Sequence, residues 1–372
     1  MTGGSFALTE AERLRVEHID ELVARGAPAV DELIAALSEQ SWTVRRSVIG
    51  GLAALGDEAV GPLCAWLRTH RSEEHAIAAA VDALSASVGS ETNRHVMELA
   101  TDANPAVVAD AAAILGRRHA HDAIGLLERL LSHPDDNVAV AATEAIGAIG
   151  GAAAVDTLIG VLQRREFFRT LPAIQVLGRS ADPRAVAPLA SLLSDDTFRI
   201  EAARALGRTG SAQAIVPITS LLAHGGDAMT RLVASSLADL ITRAHWIGSA
   251  MPVEATLRAV ATPALSRFIQ SLHGADDSER AAIAVVLGKI GDASTVSALA
   301  RMLEEPALAR SASAAIQDIG RDHEDALTEA LGSGETATRI AILPIVGARR
   351  SARRVRALLA DEDPEVRARA CE

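Results

Sequence analysis

A phrase of roughly 30 residues recurs along this chain and constrains its fold more than any single residue does. Each copy begins with an apolar segment built on Ala-Val and Leu. It continues through a short polar turn into a second segment that typically opens with Val-Arg and closes with Leu-Gly. One copy runs from Ala29 to Gly56 and another from Ala185 to Gly207. Such a period is typical of a solenoid, because one unit is too small to bury its own apolar face.

The composition indicates which kind of solenoid to expect. Hydrophobic residues make up 49% of the chain, but aromatic residues only 2%, and there is no tyrosine. Alanine and leucine are strong helix formers, whereas a β architecture would need more β-branched and aromatic residues. The sequence therefore predicts an all-α fold, a right-handed α-solenoid or superhelix of about ten two-helix repeats.

The first 25 residues do not match the repeat and are predicted to form an N-terminal capping helix. Thr9 followed by Glu12 has the spacing of a capping box, which predicts a helix from there to about Arg25. The apolar stripe of this helix is predicted to consist of Leu14, Ile19, Leu22 and Val23. A terminal repeat needs such a cover, since only one of its faces meets a neighbour.

The repeats are predicted to occupy residues 26–243 and 263–372, separated by an insertion at 244–262. In repeat arrays such insertions map to one face, often the binding face. The last repeat lacks the Leu-Gly ending. We therefore expect the chain to be part of a longer protein.

Glycine and proline mark the predicted ends and irregularities of the second helices. Glycines near these ends are predicted to act as C-terminal stops. They are Gly56, Gly116, Gly150, Gly178, Gly207, Gly288, Gly291 and Gly320. Pro172 and Pro344 lie well inside their predicted second helices, where proline should bend the helix or shift its start.

Charge and cysteine usage limit the classes of function. The net charge is −12, which argues against broad nucleic-acid binding, and Lys289 is the only lysine. We interpret the preference for arginine over lysine mainly as the codon usage of a GC-rich genome. Cys64 and Cys371 lie near opposite ends of the chain and are predicted to be unpaired. No secretion signal precedes the repeats, so the predicted location is cytoplasmic.

These features together resemble HEAT-like repeats. The resemblance is based on the repeat phrase, the two-helix unit and acidic inner turns such as Asp195-Asp196-Thr197 followed by Phe198-Arg199. The short period is most similar to the subclass named after phycobilin lyases, and the resemblance covers about Gly26 to Glu372. It implies an α-solenoid. Relatives of this kind include scaffolds, regulatory modules, bilin lyase subunits, an iron-dependent hydroxylase and DNA glycosylases.

The enzymatic relatives imply motifs that this chain largely lacks. The hydroxylases hold two irons with His-Glu pairs on repeated second helices, whereas the pair His323-Glu324 is predicted to lie in a turn. His119 and His121, with His95 and His133 in neighbouring repeats, match no strong metal motif. The glycosylases need aromatic residues and a basic track on the concave face. We therefore predict no catalytic residue, no metal site and no cofactor.

Three segments are candidates for partner binding. In the first, Arg165, Phe167 and Arg169 form a predicted contact site, with Phe167 exposed and Phe168 buried at the usual valine position. The alternative is that both rings pack in a widened joint between repeats.

The second candidate is the insertion, with Trp246, Ile247 and Met251 as predicted contacts and Val253 beside them. It is predicted to dock a partner or form a dimer contact. The alternative is a loop that tucks its apolar residues back onto the solenoid.

The third candidate is an arginine-rich stretch near the C-terminus. The spacing of Arg349, Arg353 and Arg356 places these side chains near one helix face. They are predicted to meet an acidic partner, a phosphate or a downstream domain. The alternative is neutralisation by acidic residues such as Asp361 and Glu362.

From these observations we predict a non-catalytic protein–protein interaction scaffold or regulatory module of a bacterial cytoplasmic protein. Its partner is predicted to be a protein or a downstream domain of the same chain, with no membrane involved. Two alternatives remain open. One is an accessory subunit of a lyase- or hydroxylase-like enzyme system, and the other is nucleic-acid or phosphate binding through the C-terminal arginine face.

Overall fold

A computed structural model describes residues 8–371 of the protein, except 224, 323, 334 and 346–351. All regular secondary structure within those residues is helical. The chain forms two compact units, Met1–Val176 and Leu177–Glu372, and the division falls inside one helix. Among the described helices, none combines the length and the apolar character needed to cross a membrane.

The first unit begins with the capping helix α1 and continues as helix pairs. Its α-helices are α1 (Glu10–Arg25), α2 (Val30–Ala35), α3 (Trp42–Leu55), α4 (Asp57–Thr69), α5 (Glu74–Ala86), α6 (Thr92–Leu99), α7 (Pro105–Arg117), α8 (Ile124–Leu130), α9 (Asp136–Ile149), α10 (Gly151–Arg164) and α11 (Phe167–Arg179), which contains the division. Short 3₁₀ turns flank α2 and precede α8.

The second unit continues the pairs and adds one helix, α16, that has no counterpart in the first. Its α-helices are α12 (Val186–Ser191), α13 (Arg199–Thr209), α14 (Ile215–Ser220), α15 (Asp227–Trp246), α16 (Ala250–Ala261), α17 (Leu265–Ser271), α18 (Asp277–Ile290), α19 (Ala293–Met302), α20 (Ala309–Asp322), α21 (Glu324–Ser333), α22 (Thr336–Ile342), α23 (Ala352–Leu358) and α24 (Pro364–Cys371).

Within each unit the pairs stack in two layers, which confirms the predicted all-α solenoid. Second helices contact the next second helices, as α7 contacts α9 and α18 contacts α20, while first helices such as α4 and α6 contact each other. The core between the layers is aliphatic, with residues such as Leu127, Ile146 and Leu287 fully buried. Stacking supplies each pair with the apolar neighbours that it cannot provide for itself.

Helix α1 has the predicted start and end, but part of its predicted stripe is wrong. The Thr9 side chain accepts a hydrogen bond from the Glu12 backbone, and the Glu12 carboxylate accepts one in return from the Thr9 backbone at 3.0 Å. Ile19 and Leu22 are buried, whereas Leu14 is exposed. Leu14 lies five residues, or about 140° of rotation, before Ile19, which turns it away from the solenoid.

The arginine of the repeat phrase has a structural role in several repeats. Its guanidinium donates a hydrogen bond to a backbone carbonyl six residues earlier, where the first helix of the same pair ends. The bonds are Arg45 to Glu39 at 2.6 Å, Arg199 to Leu193 at 2.8 Å and Arg367 to Asp361 at 2.8 Å. Because a helix end leaves carbonyls without intrahelical partners, this bond joins the two helices of a pair.

The glycines near the ends of second helices have two different roles, and the prediction of a stop holds only for some. Gly56 and Gly150 follow their helices with φ angles of 56° and 72°. Gly116, Gly207 and Gly288 instead lie inside α7, α13 and α18. A Cβ atom on Gly207 would lie 2.4 Å from the Ser236 carbonyl oxygen, and one on Gly116 only 2.6 Å from Ala145 Cα. These glycines allow neighbouring second helices to approach closely.

The two internal prolines behave differently. Pro172 is the sixth residue of α11, whereas α22 ends at Ile342, before Pro344. Proline has no backbone N–H to continue the hydrogen bonds of the helix, so α22 ends just before it, although Leu343 itself keeps helical φ and ψ angles of −51° and −45°.

Candidate functional site

Around the turn between α15 and α16 lie the two most exposed large apolar side chains among the described residues of the second unit, Trp246 and Met251. Trp246 is 82% exposed, Met251 81% and Ile247 41%, and we call these three residues the Trp246 surface. The backbone here is satisfied, since the Ile247 amide donates to the Arg243 carbonyl at 3.1 Å and the Ser249 amide to the Ala244 carbonyl at 2.7 Å. The exposed side chains therefore lie in and beside a closed, hydrogen-bonded turn, with Trp246 at the end of α15 and Met251 at the start of α16.

The predicted insertion at 244–262 is mostly helical, not a loop. Its start extends α15 to Trp246, and its remainder forms α16. Val253 and Leu257 on α16 are fully buried, and α16 contacts α14, α15 and α18. The expectation that Val253 belongs to an exposed contact site is wrong, because Val253, Leu257 and Ala261 share the helix face that packs inward.

A buried ion cluster holds α16 in place. Lys289 on α18 is only 8% exposed, and its Nζ lies 2.9 Å from Glu254 on α16 and 2.9 Å from Asp318 on α20. The Arg258 Nε of α16 also donates to the Lys289 carbonyl at 3.0 Å. Burial alone would lower the pKa of Lys289, but the bonds to Glu254 and Asp318 outweigh it and raise the pKa. Lys289 is therefore charged and joins α16, α18 and α20 through its ion pairs. We call this group of three residues the Lys289 clamp.

Sequence reasoning recorded Lys289 but missed its role. The sequence did contain a signal for this role. Lys289 is the only lysine in an arginine-rich chain, and it lies between the buried residues Leu287 and Ile290 near the end of a second helix. A charged residue on an apolar stripe needs a partner. The partners lie 35 residues before it and 29 residues after it, so only the tertiary structure identifies them.

The aromatic pair at the start of α11 is exposed at both positions. Phe167 is 47% exposed, as predicted, but Phe168 is 58% exposed, so the prediction that it is buried is wrong. The buried stripe of α11 begins at Thr170 and continues through Ala173 and Leu177. Phe168 precedes Thr170 by two residues, or about 200° of rotation, which places its ring on the opposite face. The two rings contact edge to face, with centroids 5.3 Å apart.

The arginines beside these rings serve the fold. Arg169 donates to the backbone carbonyls of Leu131 at 3.0 Å and His133 at 2.9 Å, and it is paired with Glu166. Arg165 ends α10 in a left-handed conformation with φ of 55°. Because the guanidinium of Arg169 already binds within the unit, the prediction that Arg169 contacts a partner is not supported by its geometry.

The third predicted site lies partly outside the described residues. Arg349 is not among them, Arg353 lies in α23, and Arg356 is exposed near the end of that helix. Asp361, predicted to neutralise this stretch, is instead paired with Arg339. The arrangement of these three arginines as one site therefore stays a prediction.

Chemically reactive groups are sparse in the part of the chain that the structure describes. That part holds no group of three or more His, Cys, Asp or Glu placed to bind a metal ion. His323 of the His323-Glu324 pair lies outside it. Burial raises the pKa of the Cys64 thiol to about 11, so this cysteine is a neutral, apolar group at pH 7.

Comparison with known protein families gives a match over more than half of the chain. The sequence profile of HEAT repeats matches residues 30–113, 93–170 and 171–238. No curated protein sequence matches the chain.

Several solved structures resemble the chain at low sequence identity. An engineered protein has a TM-score of 0.48 at 18% identity, over 96% of this chain and 97% of its own. The karyopherin Kap121p, bound to the extreme C-terminus of the protein phosphatase Cdc14p, has a TM-score of 0.41 at 11% identity, over 97% and 46%. The CpcE–CpcF complex of phycocyanin lyase from Nostoc sp. PCC7120 has a TM-score of 0.36 at 19% identity, over 68% and 93%.

Proposed function

This chain belongs to the HEAT-repeat family, and from that membership we propose that it is a non-catalytic scaffold that binds a protein partner through the Trp246 surface. One observation carries the proposal. Helix α16 is fixed by buried apolar residues and by the Lys289 clamp, yet Trp246 at the end of α15 and Met251 in the first turn of α16 are 82% and 81% exposed. Exposed apolar groups on a rigid base are typical of interaction sites.

The residue types at this surface suit a protein interface. Tryptophan is enriched among the residues that dominate binding energy, because its large ring loses much hydrated area with few rotatable bonds. Methionine adapts its shape to an opposing surface. Pre-formed turn geometry lowers the ordering cost of association, since no backbone segment must fold first.

The proposal includes a regulatory role in a bacterial cytoplasmic protein and a partner that is either another protein or a downstream domain of the same chain. We also propose that the chain divides into a capping helix at 1–25, repeats at 26–243 and 263–372, and an inserted segment at 244–262.

The test is an affinity capture from native cell extract with the immobilised chain as bait, quantified by mass spectrometry. Trp246→Ala and Met251→Ser are compared with Leu14→Ser, which alters an exposed leucine on the capping helix. A parallel bait carries Arg349→Glu, Arg353→Glu and Arg356→Glu together. We expect one protein to be enriched by the unaltered chain and by the Leu14 variant, and at least ten-fold less by either Trp246-surface variant.

Other outcomes contradict the proposal in distinct ways. Loss only with the arginine reversals would move the contact to the C-terminal arginine face, and steep salt dependence would then favour nucleic acid or phosphate. Capture of no specific protein, together with a metal or chromophore in the purified bait, would favour the accessory-enzyme alternative.

A further inference from the structure

A groove in the second unit runs along α15, between the neighbouring second helices α13 and α18. Its volume is about 660 Å³, within the range of sites that hold small ligands or a few residues of a peptide. On α15 its lining residues follow a spacing of three or four, so they form one stripe of that helix. This stripe consists of Ala228, Leu232, Ser235 and Asp239.

Apolar side chains in the groove remain open to solvent. Ile200, which lines the groove from α13, is 50% exposed. Leu232 on α15 and Ala282 on α18 are half-buried, and Ala228 is exposed. An aliphatic side chain of a partner would therefore remove from water apolar surface that the three helices leave uncovered.

Acidic side chains outnumber basic ones in the groove. The charged residues among its described lining are Asp239, Asp276, Glu279 and Arg204. Arg204 is already paired with Glu201 at 2.8 Å. Glu279 is likewise paired with Arg231 at 3.0 Å. The groove therefore carries negative charge that these ion pairs do not neutralise.

The carboxylates of Asp239 and Asp276 account for this excess charge. Neither forms an ion pair with any residue that the structure describes. Asp276 is the N-cap of α18 and accepts a hydrogen bond from the Glu279 amide at 2.8 Å. The starts of α15 and α18 carry partial positive charge, which the acidic residues Asp227 and Asp277 of their own first turns offset. The electrostatics thus favour a cationic occupant.

The exposed face of α15 continues from the groove to the Trp246 surface. Arg208 and Arg243 lie one turn beyond the lining residues of α13 and α15, and neither forms an ion pair with Asp239. Trp246 follows Asp239 by seven residues, which places the two on one face of the helix. One partner can therefore reach both the groove and Trp246.

We propose that this groove binds a basic, aliphatic segment of the protein partner. Arginine or lysine side chains of the segment pair with Asp239 and Asp276, and an aliphatic side chain packs against Ile200 and Leu232. Arginine suits the site best, because its planar fork matches a carboxylate. The inference rests on the proposed scaffold function and deepens it, since it gives the chemistry of the segment next to the Trp246 contact.

The test is a fluorescence anisotropy titration of the full chain into a capped hexapeptide of alternating leucine and arginine that carries an uncharged dye. One control peptide has citrulline, an uncharged isostere, in place of arginine. A second keeps the arginines and has serine in place of leucine. The titrations are made at physiological ionic strength, which screens attraction between charges that are not in contact.

We expect the leucine–arginine peptide to bind saturably and at least ten-fold more tightly than either control. Asp239→Asn combined with Asp276→Asn should weaken its binding at least five-fold, because both charges are lost while asparagine still caps α18. Ile200→Ser should weaken it as well. Glu144→Gln, which removes an exposed carboxylate from the second helix α9 in the first unit, should not. Circular dichroism confirms that each variant is folded.

Equal binding of the arginine and citrulline peptides would overturn the inference, and so would unchanged binding by the double aspartate variant. The same double variant also serves as a bait in the capture from cell extract, where we expect it to lose the partner. Capture that depends on Trp246 but not on the two aspartates would reject the groove and leave the scaffold proposal standing. Aspartate-dependent peptide binding without any Trp246-dependent capture would reject the Trp246 contact and keep the groove.

Discussion

Single glycines in this protein determine how closely its second helices pack. Alanine normally stabilises a helix interior relative to glycine by up to about 1 kcal/mol, because it restricts the unfolded chain. At Gly207 this preference is reversed, since the added Cβ would lie 2.4 Å from a backbone oxygen of α15, which cannot move as a side chain can.

We therefore expect Gly207→Ala to lower the free energy of unfolding by about 1–3 kcal/mol through overpacking. The matched control is Gly160→Ala in α10, where nothing lies within 4 Å of the new Cβ, and this change should be neutral or stabilising. The measurement is the urea midpoint of unfolding by circular dichroism. A stabilising effect at Gly207 would show that α13 and α15 can separate at little cost.

The capping box of α1 makes a second prediction at the residue scale. Hydrogen bonds from Ser41 and from Thr9 lower the pKa of Glu12 from 4.5 to about 2. A depressed pKa in the folded state stabilises the protein above pH 4.5, and this contribution is lost as the pH falls toward 2. The difference in melting temperature between the unaltered chain and Glu12→Gln should therefore shrink between pH 6 and pH 3. A difference that stays constant over this range would contradict the assignment.

Among the described elements, α16 departs most from the repeat, and Lys289 joins it to α18 and α20 through ion pairs. Removing Lys289 would leave Glu254 without its ion-pair partner, which is costly, whereas Asp318 would keep Arg321 at 3.0 Å. Glu254 and Asp318 retain side-chain exposures of 23% and 24%, so water offsets part of that cost.

We expect Lys289→Met to destabilise the second unit by about 1–3 kcal/mol and to accelerate hydrogen exchange of the α16 amides. The control is Arg94→Met, which removes an exposed pairing with Glu91 and Glu98 and should cost less than about 1 kcal/mol. Unchanged exchange in α16 would mean that its buried apolar residues alone hold it.

For the whole molecule, stability in a repeat array is approximately a sum over pairs and their nearest neighbours. Hydrogen exchange followed by mass spectrometry in low concentrations of urea should therefore show a local response to Gly207→Ala. Protection should fall in α13 and α15, while α3 and α5 in the first unit keep theirs. Equal loss of protection in both units would contradict this and indicate that the chain unfolds as one cooperative body.

The sequence also predicted the start of α1 and part of its buried face, but it mispredicted the burial of Phe168 and the role of Gly207. Periodicity located Thr9 at the start of α1 and Ile19 within its buried stripe. The pattern predicts a buried Phe168, because Phe168-Arg169 matches the Val-Arg pair of the repeat phrase, whereas the buried stripe of α11 begins at Thr170. The sequence pattern also predicts that Gly207 ends its helix. The close contact of Gly207 with α15 cannot be read from the residues next to it in sequence.

The repeat phrase by itself determined the fold class, since a period of roughly 30 residues rich in alanine and leucine leaves stacked helix pairs as the way to bury the apolar faces. It also placed Trp246 and Met251 in a break of that period, where the structure exposes them. Only the tertiary structure decided that the break forms a helix clamped by Lys289, and that Ile200 and Leu232 line one groove. Those contacts join residues of different helices about 30 residues apart, and local patterns do not specify which side chains meet across a helix interface.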